Sequence, residues 1–592
     1  MSAKLRQWIL CSAYAFQVLA LSACGGSGDS AQSAPPPANN APAPAPLPVP
    51  PVPVPPVPVP EPAPLQFEEV RAKPVNIAMV VSSSQMHANG AKIQQFSAAL
   101  SGDLNRRATA RSGSNGPIYS VDVLSAGADA PAVRNQLKPY DGAILIGVVP
   151  VPLVIDGIDG FAKPLMDPFR LPSCGEYRFS ANSNRIDSVP QEIDNDPSCR
   201  HGMPVAVLRG QSQLSDLADV EKKLDQFIAY HKASDQNNLN WSPDFQYTWA
   251  LWGGSAPYLP ADTLADIWPA MTLNGGLQHY PSPAFVTDGT AAFRKDTFKR
   301  CLASEGEMCV VGGHGNSSSI LFEGPDALGK YYSDDHVSMA SSEIQSNGAS
   351  AKYVEMLACS SQDFLRSGSF ATTLLMSGKT MLTMGSSTTS WGSSNFVFEQ
   401  AQEVYPYLAL GSTFAEAVRG SLRGNAISMQ GDPYISFRPV PARAPKLVIN
   451  GKHYNDGNFI FPMVFADSIA GSSSQAVLHL SNAGMADLHI QLAWASRAWS
   501  IDGKPTPEGG FNGGFSLVDP YPISGSNHGS GIGNKIFTIK PNQTMKVTYK
   551  MAPLVYSPPG APVTGILGST LQLFSDDPAS YKITLDATMR IH

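Results

Sequence analysis

The chain has 592 residues, of which 43% are apolar and 15% charged, with a formal net charge of −7. At about 100–200 residues per domain this length implies several domains, and the acidic balance excludes a basic nucleic-acid binder. A charged fraction below the roughly 25% of an average soluble domain, with 51 glycines and 51 prolines, suits an exported protein that carries a linker.

The N-terminus reads as a secretory signal: Lys4 and Arg6 precede an apolar stretch from Trp8 to Leu21, which ends in small residues. Leu21-Ser22-Ala23-Cys24 resembles the lipobox of bacterial lipoproteins. That resemblance implies lipidation of Cys24 and, with Gly25 rather than an acid next, anchoring at the bacterial outer membrane, on its cell-surface or periplasmic face. No other stretch offers ~20 uninterrupted apolar residues, so no transmembrane helix is expected. Residues 31–64 hold 16 prolines, the composition of a polyproline II stalk spanning roughly 100 Å at ~3.1 Å per residue. The expected domains are a signal (1–23), a lipidated cysteine with a Pro-rich linker (24–65), a body (66–442) and a C-terminal module (443–592).

In the body, apolar runs at Val75–Val81, Tyr119–Leu124, Ala143–Val149, Val205–Leu208, Thr248–Leu251, Met308–Val311, Tyr353–Leu357 and Thr380–Met384 read as strands. Stretches such as Ala91–Leu100, Ser215–Lys232, Phe293–Leu302, Ala371–Ser377, Asn395–Leu410 and Thr413–Ile427 read as helices. The alternation predicts an α/β class with a doubly wound, mostly parallel sheet. Such sheets bind ligands at the carboxyl ends of their strands. Two strand ends stand out: MCVVGGHGNSSS, carrying His314, and VEMLACSSQDF, carrying Cys359. On parallel neighbours, imidazole and thiol emerge at one sheet edge. A thiolate is then the nucleophile, an imidazolium protonates the leaving amine, and the amides of Gly315 and Cys359 form an oxyanion hole. Asn316 to Ser319 read as a flexible loop beside it.

Cysteine parity points the same way. Of seven cysteines, Cys11 leaves with the signal and Cys24 is committed to lipid. Cys174 with Cys199, and Cys301 with Cys309, are candidate disulfides in an oxidising compartment, which leaves Cys359 as the odd thiol.

These motifs, in their order along residues 70–440, resemble the gingipain-like cysteine peptidases of the caspase-fold clan. Gly313-His314-Gly315 matches the histidine motif, and Ala358-Cys359 followed by Asp363-Phe364-Leu365 matches the nucleophile motif. Tyr140-Asp141-Gly142 with Ile144 to Gly147, the stretch Val205–Tyr230 (with Lys223, Ile228 and Tyr230), and Gly431-Asp432-Pro433 are similar to further family segments. Ser386-Ser387-Thr388 and Ser390-Trp391 resemble the substrate-pocket segment, which implies that Ser387 and Trp391 line the pocket. Two departures stand beside the match: Val148 replaces an acid, and the acid that supports the histidine in known members falls near Trp252, where no carboxylate stands. The pocket acid that selects Arg falls near Asp262, with Asp266 as the alternative.

No HExxH or paired CxxC occurs, so neither a metal nor another cofactor is expected. Glu221-Lys222-Lys223 reads as a solvated helix face. Beyond Pro445 the pattern changes to short alternating β runs, which predict an immunoglobulin-like sandwich similar to Hydin and major-sperm-protein domains. The resulting expectation is a surface-anchored cysteine endopeptidase, with a protein or peptide substrate, a membrane partner through its lipid, and no nucleic acid. The alternatives are an inactive peptidase-like surface protein for binding or adhesion, and a processing transpeptidase.

Overall fold

A computed structural model describes residues 65–592 apart from 157–159, 176, 182, 189–201, 234–244, 250–289, 304–307, 325–333, 389–403, 405–406, 409, 420–426, 438–439, 441–442, 470–471, 494–499, 503, 506–513, 520–522, 525–535 and 553–564. The signal, Cys24 and the Pro-rich stretch therefore lie outside the described residues. The described residues all belong to one compact unit, Pro62–His592.

Its strands, in chain order, begin with β1 (Glu68–Val70), β2 (Val75–Val81), β3 (Tyr119–Ser125), β4 (Gly142–Ile146), β5 (Leu153–Ile155), β6 (Ala162–Pro164), β7 (Arg178–Phe179), β8 (Ile186–Ser188) and β9 (Val205–Leu208). They continue with β10 (Phe245–Trp249), β11 (Met308–Gly312), β12 (His314–Asn316), β13 (Ser319–Glu323), β14 (His336–Ala340), β15 (Tyr353–Leu357), β16 (Leu382–Ser386) and β17 (Ile427–Gly431). Nine of them form one sheet in the order β10-β11-β15-β16-β17-β9-β4-β2-β3. The burial of β2 from Ile77 to Val81 on both faces explains its unbroken apolar run. Helices Ser83–Ser112 and Asp216–Ala233 cover one face with Phe96, Leu100, Leu224 and Phe227.

The expected α/β class, a caspase-like, doubly wound and mostly parallel sheet, is corrected by the strand directions and by the balance of elements. Strand residues exceed helical ones among the described residues, and they spread over six sheets. The large sheet is not one winding. β3, β2, β4, β9 and β17 run parallel; β10, β11, β15 and β16 run parallel; and β16 meets β17 antiparallel. Two blocks of opposite sense result, with their carboxyl ends at opposite edges. The sequence hid this because β17, ISMQG, is short and partly polar, and Thr413–Ile427 before it reads as helix. Only Phe414–Val418 of that stretch is a described helix.

The last residues build a sandwich. One sheet orders Glu68–Val70, Lys452–Tyr454, Leu447–Ile449, Ser474–Asn482, Thr544–Ala552, Gly514–Asp519 and Ile523–Ser524. The other is built on Asn458–Val464, Lys582–Ile591, Gly565–Ser575, Leu488–Ala493 and Ile536–Ile539. Alternating side chains such as Leu478, Leu480 and Val547 from the first meet Ile490, Leu571 and Ile583 from the second in one core. The expected boundary at 442/443 is crossed twice. β1 pairs with Lys452–Tyr454 of the sandwich, and Phe574 and Tyr581 join the core of the nine-stranded sheet.

Candidate functional site

β11 and β15 are parallel neighbours, with Gly312 opposite Leu357. Both chains therefore leave the sheet at the same edge, one toward His314 and the other toward Cys359. Cys359 is half-buried and carries a thiol rather than a disulfide. Cys301 and Cys309 are joined by a disulfide, which ties the helix Ala291–Ala303 to β11 just before the histidine. Cys174 is disulfide-bonded, and Cys199 lies outside the described residues.

Gly315 joins the two strand ends. A Cβ there would lie 2.8 Å from the Cβ of Ala358, 3.2 Å from the Ser319 carbonyl oxygen and 3.6 Å from that of Cys359. Only a glycine lets the chain after the histidine sit this close to the turn carrying the thiol. The segment after His314 is no flexible loop. β12, β13 and β14 form a three-stranded antiparallel sheet. Asn316 Oδ1 closes its turn by accepting from the amides of Ser318 and Ser319 at 2.8 and 3.0 Å. The Ser317 carbonyl accepts from the amide of Phe370 at 2.7 Å.

This sheet supplies an acid that sequence reasoning missed. Glu323, buried at the end of β13, sets Oε2 3.9 Å from Nε2 of the buried His314. That is ion-pair range rather than a hydrogen bond. Sequence reasoning sought a carboxylate after a central strand near Trp252. The signal it lacked was pairing: in the β12–β13 hairpin His314 lies opposite Leu321, which brings Glu323 to the histidine.

The turn after Cys359 is over-determined. Ser360 has φ 54°, a left-handed conformation that costs a non-glycine residue of order 1–3 kcal/mol. Its amide donates to the Thr388 carbonyl at 2.9 Å, its carbonyl accepts from the Asp363 amide at 3.0 Å, and the Gln362 amide donates to the Ser386 carbonyl at 2.9 Å. Gln362 Oε1 accepts from Gln430 Nε2 at 2.8 Å, and Gln430 Oε1 accepts from Thr372 at 2.8 Å. Thus β17, the strand that joins the two blocks, also braces the turn. Asp363 is buried under Arg366; burial pushes its carboxyl above the usual range against the pull of Arg366 and Lys163.

Other expected positions fall elsewhere. Trp391, Asp262 and Asp266 lie outside the described residues. Ser387 is fully buried, and its hydroxyl donates to the Pro164 carbonyl at 2.6 Å, so it anchors β6 to the end of β16 instead of facing a pocket. Lys223 is fully buried rather than solvated, donating to the carbonyls of Gly378 and Thr380 at 2.8 and 2.9 Å. Gly431 (φ 108°) passes so close to Met381 that a Cβ would lie 2.1 Å from its carbonyl oxygen. Asp432 binds buried His231 at 2.7 Å. These residues explain the Gly-Asp-Pro motif as architecture. Among the described residues no cluster of three metal-ligating side chains occurs, and no helix is long and apolar enough to cross a membrane.

No protein-family model and no curated protein matches this sequence. Solved structures that share some likeness match about a quarter of this chain. The PapD-like domain 7 of human CEP192 is 16% identical over 25% of this chain and 85% of its own, at a TM-score of 0.14. The CooA pilin subunit of enterotoxigenic Escherichia coli is 12% identical over 25% of this chain and 99% of its own, at 0.16. The CupB6 tip adhesin of Pseudomonas aeruginosa is 12% identical over 27% and 46%, at 0.17. At such TM-scores the likeness assigns this chain no function, and what the site does rests on its own residues.

Proposed function

We propose that this protein is a cysteine peptidase that cuts protein or peptide chains with Cys359 as nucleophile and His314 as acid and base, as the resemblance of its motifs to gingipain-like peptidases implies. The observation that carries this reading is the contact of Gly315 with Ala358 and Cys359, which sets a His-Gly strand end against the turn of a reduced thiol. With Nε2 of His314 toward Glu323, Nδ1 is the nitrogen that exchanges protons with the thiol. The thiolate attacks the scissile carbonyl and a C–S bond forms. The amides of Gly315 and Cys359 hold the oxyanion. The imidazolium then gives its proton to the leaving amine as the C–N bond breaks. Water, deprotonated by the imidazole, hydrolyses the thioester. We further propose that lipid on Cys24 anchors the protein at the outer membrane, with the Pro-rich stretch as the stalk.

The test is covalent labelling of the chain from residue 65 onward with peptidyl acyloxymethyl ketones carrying Arg, Lys or apolar P1 residues, the adduct being located by mass spectrometry. An adduct on Cys359 that disappears in His314→Ala is the expected result, and the preferred probe reports P1. No adduct from any probe, with Cys359 still alkylated by iodoacetamide, overturns the reading.

A further inference from the structure

A second side chain reaches the candidate nucleophile turn, from a small hairpin outside the nine-stranded sheet. β5 and β6 form a hairpin in the stretch after β4. Lys163 of β6 sets Nζ 2.7 Å from Asp156 Oδ2 and 2.8 Å from Ser360 Oγ. All three residues are buried. The neighbouring Pro164 carbonyl is held by Ser387, and Ser360 donates its amide to Thr388. The hairpin, the nucleophile turn and the end of β16 are thus tied together at adjacent residues.

A buried lysine–aspartate pair is a poor device for stability, since apolar side chains of similar volume serve as well. Here the pair does something an apolar pair cannot do. An ammonium has three donors, and one is aimed at the hydroxyl of the residue after the candidate nucleophile. That residue holds the left-handed backbone that turns the chain away from the thiol. We propose that Lys163, held by Asp156, is a positioning residue for Cys359: its grip on the Ser360 hydroxyl fixes the left-handed turn that sets the direction of the thiol and of the Cys359 amide. This rests on the reading of Cys359 as nucleophile, and the hairpin is then part of the peptidase machinery rather than a surface excursion.

The experiment separates the hydroxyl from the backbone. Ser360→Ala removes the acceptor and keeps the strained backbone; Ser360→Gly removes the acceptor and relieves the strain. If Lys163 positions the thiol, both variants lower the inactivation rate constant of the peptidyl ketone by about tenfold or more, the worth of one charge-assisted hydrogen bond. Ketone affinity and melting temperature stay close to those of the unaltered chain. The double variant Lys163→Met/Asp156→Leu, which removes both charges of the pair, shows the same loss; should it not fold, the Ser360 pair decides. A Ser360→Gly chain as fast as the unaltered one overturns the proposal, because backbone geometry alone then sets the thiol. Iodoacetamide alkylation of Cys359 is measured alongside and needs no peptidase activity. If the ketones label nothing, the peptidase reading has failed, and the alkylation rates still decide whether Lys163 sets the reactivity of Cys359.

Discussion

The two blocks of the nine-stranded sheet each end in a set of carboxyl-terminal turns, and the two ends are built differently. At the end of β2, β4 and β9 the polar groups close on one another. Gln85 Nε2 donates to Asp216 Oδ2 at 2.7 Å and to its carbonyl at 3.0 Å, Asn89 donates to Gln85 Oε1 at 2.8 Å, and the Gly210 amide donates to Asp216 Oδ1 at 2.8 Å. Gly147 (φ 80°) admits Gln85 and Ser82 to within 2.4 Å of where its Cβ would be. At the end of β11 and β15 a glycine again allows close approach, but what it approaches is a turn carrying a half-buried thiol. The difference lies in what the glycine admits: polar side chains that bond one another at the first end, a turn carrying a half-buried thiol at the second.

Replacing Cys359 with Ala tests the second end most severely. Ketone labelling and any hydrolysis should vanish while the melting temperature holds, and surviving hydrolysis would move the chemistry to another residue. Paired glycine substitutions sharpen the contrast between the ends. Gly315→Ala pushes a Cβ against Ala358 and should cut the labelling of Cys359 more than tenfold, a misplacement cost. Gly147→Ala overpacks the first end and should destabilise by about 1–3 kcal/mol, with labelling at a fixed fraction folded unchanged. Thermal melts and labelling rates on both variants check the pair. Glu323→Gln should slow inactivation by about tenfold, the contact with His314 tightening once a ligand is bound; an unchanged rate would remove Glu323 from the site.

The smallest effect concerns the buried base of the structure. His231 sits between Asp103, 2.8 Å from Nδ1, and Asp432, 2.7 Å from Nε2. Burial works against its charge, but Asp432 and then Asp103 outweigh it and raise its pKa from 6.5 to about 9. A raised pKa stabilises the folded state fully below 6.5, and the contribution is lost as pH rises through 9. The melting-temperature deficit of His231→Gln should be a few degrees at pH 6 and shrink by pH 9.5. Comparison with the unaltered chain at each pH cancels the other groups, among them Lys223, whose pKa burial lowers to about 7. A deficit constant across that range would mean the imidazole is not charged.

Much of the fold was legible where local pattern and burial agree. β9 and the buried half of β2 occupy the residues their apolar runs mark, because a strand covered on both faces favours an unbroken run of such side chains; β15 forms as its run marks although it buries Glu355 at its centre. The polar β17 and the β12–β14 sheet were not legible, since Ser and Gln in the first and Asn-Ser-Ser-Ser in the second carry turn or helix signals that strand pairing overrides. In the site, His314, Gly315 and Cys359 stood out as residues after apolar runs. Glu323 and Lys163 did not: Glu323 reaches His314 only through the β12–β13 pairing, and Lys163 reaches a residue 197 positions away.

The sequence by itself determined the odd thiol, the glycine-flanked histidine and the strands that carry them, because residue chemistry and hydrophobic periodicity are local properties. Only the tertiary structure decided that the sheet is two opposed blocks, that Ser387 and Lys223 are buried anchors, and that Lys163 of the β5–β6 hairpin reaches the hydroxyl of Ser360. Those are outcomes of pairing and burial between residues as far apart as 163 and 360, and such pairings leave no mark on the composition of either segment.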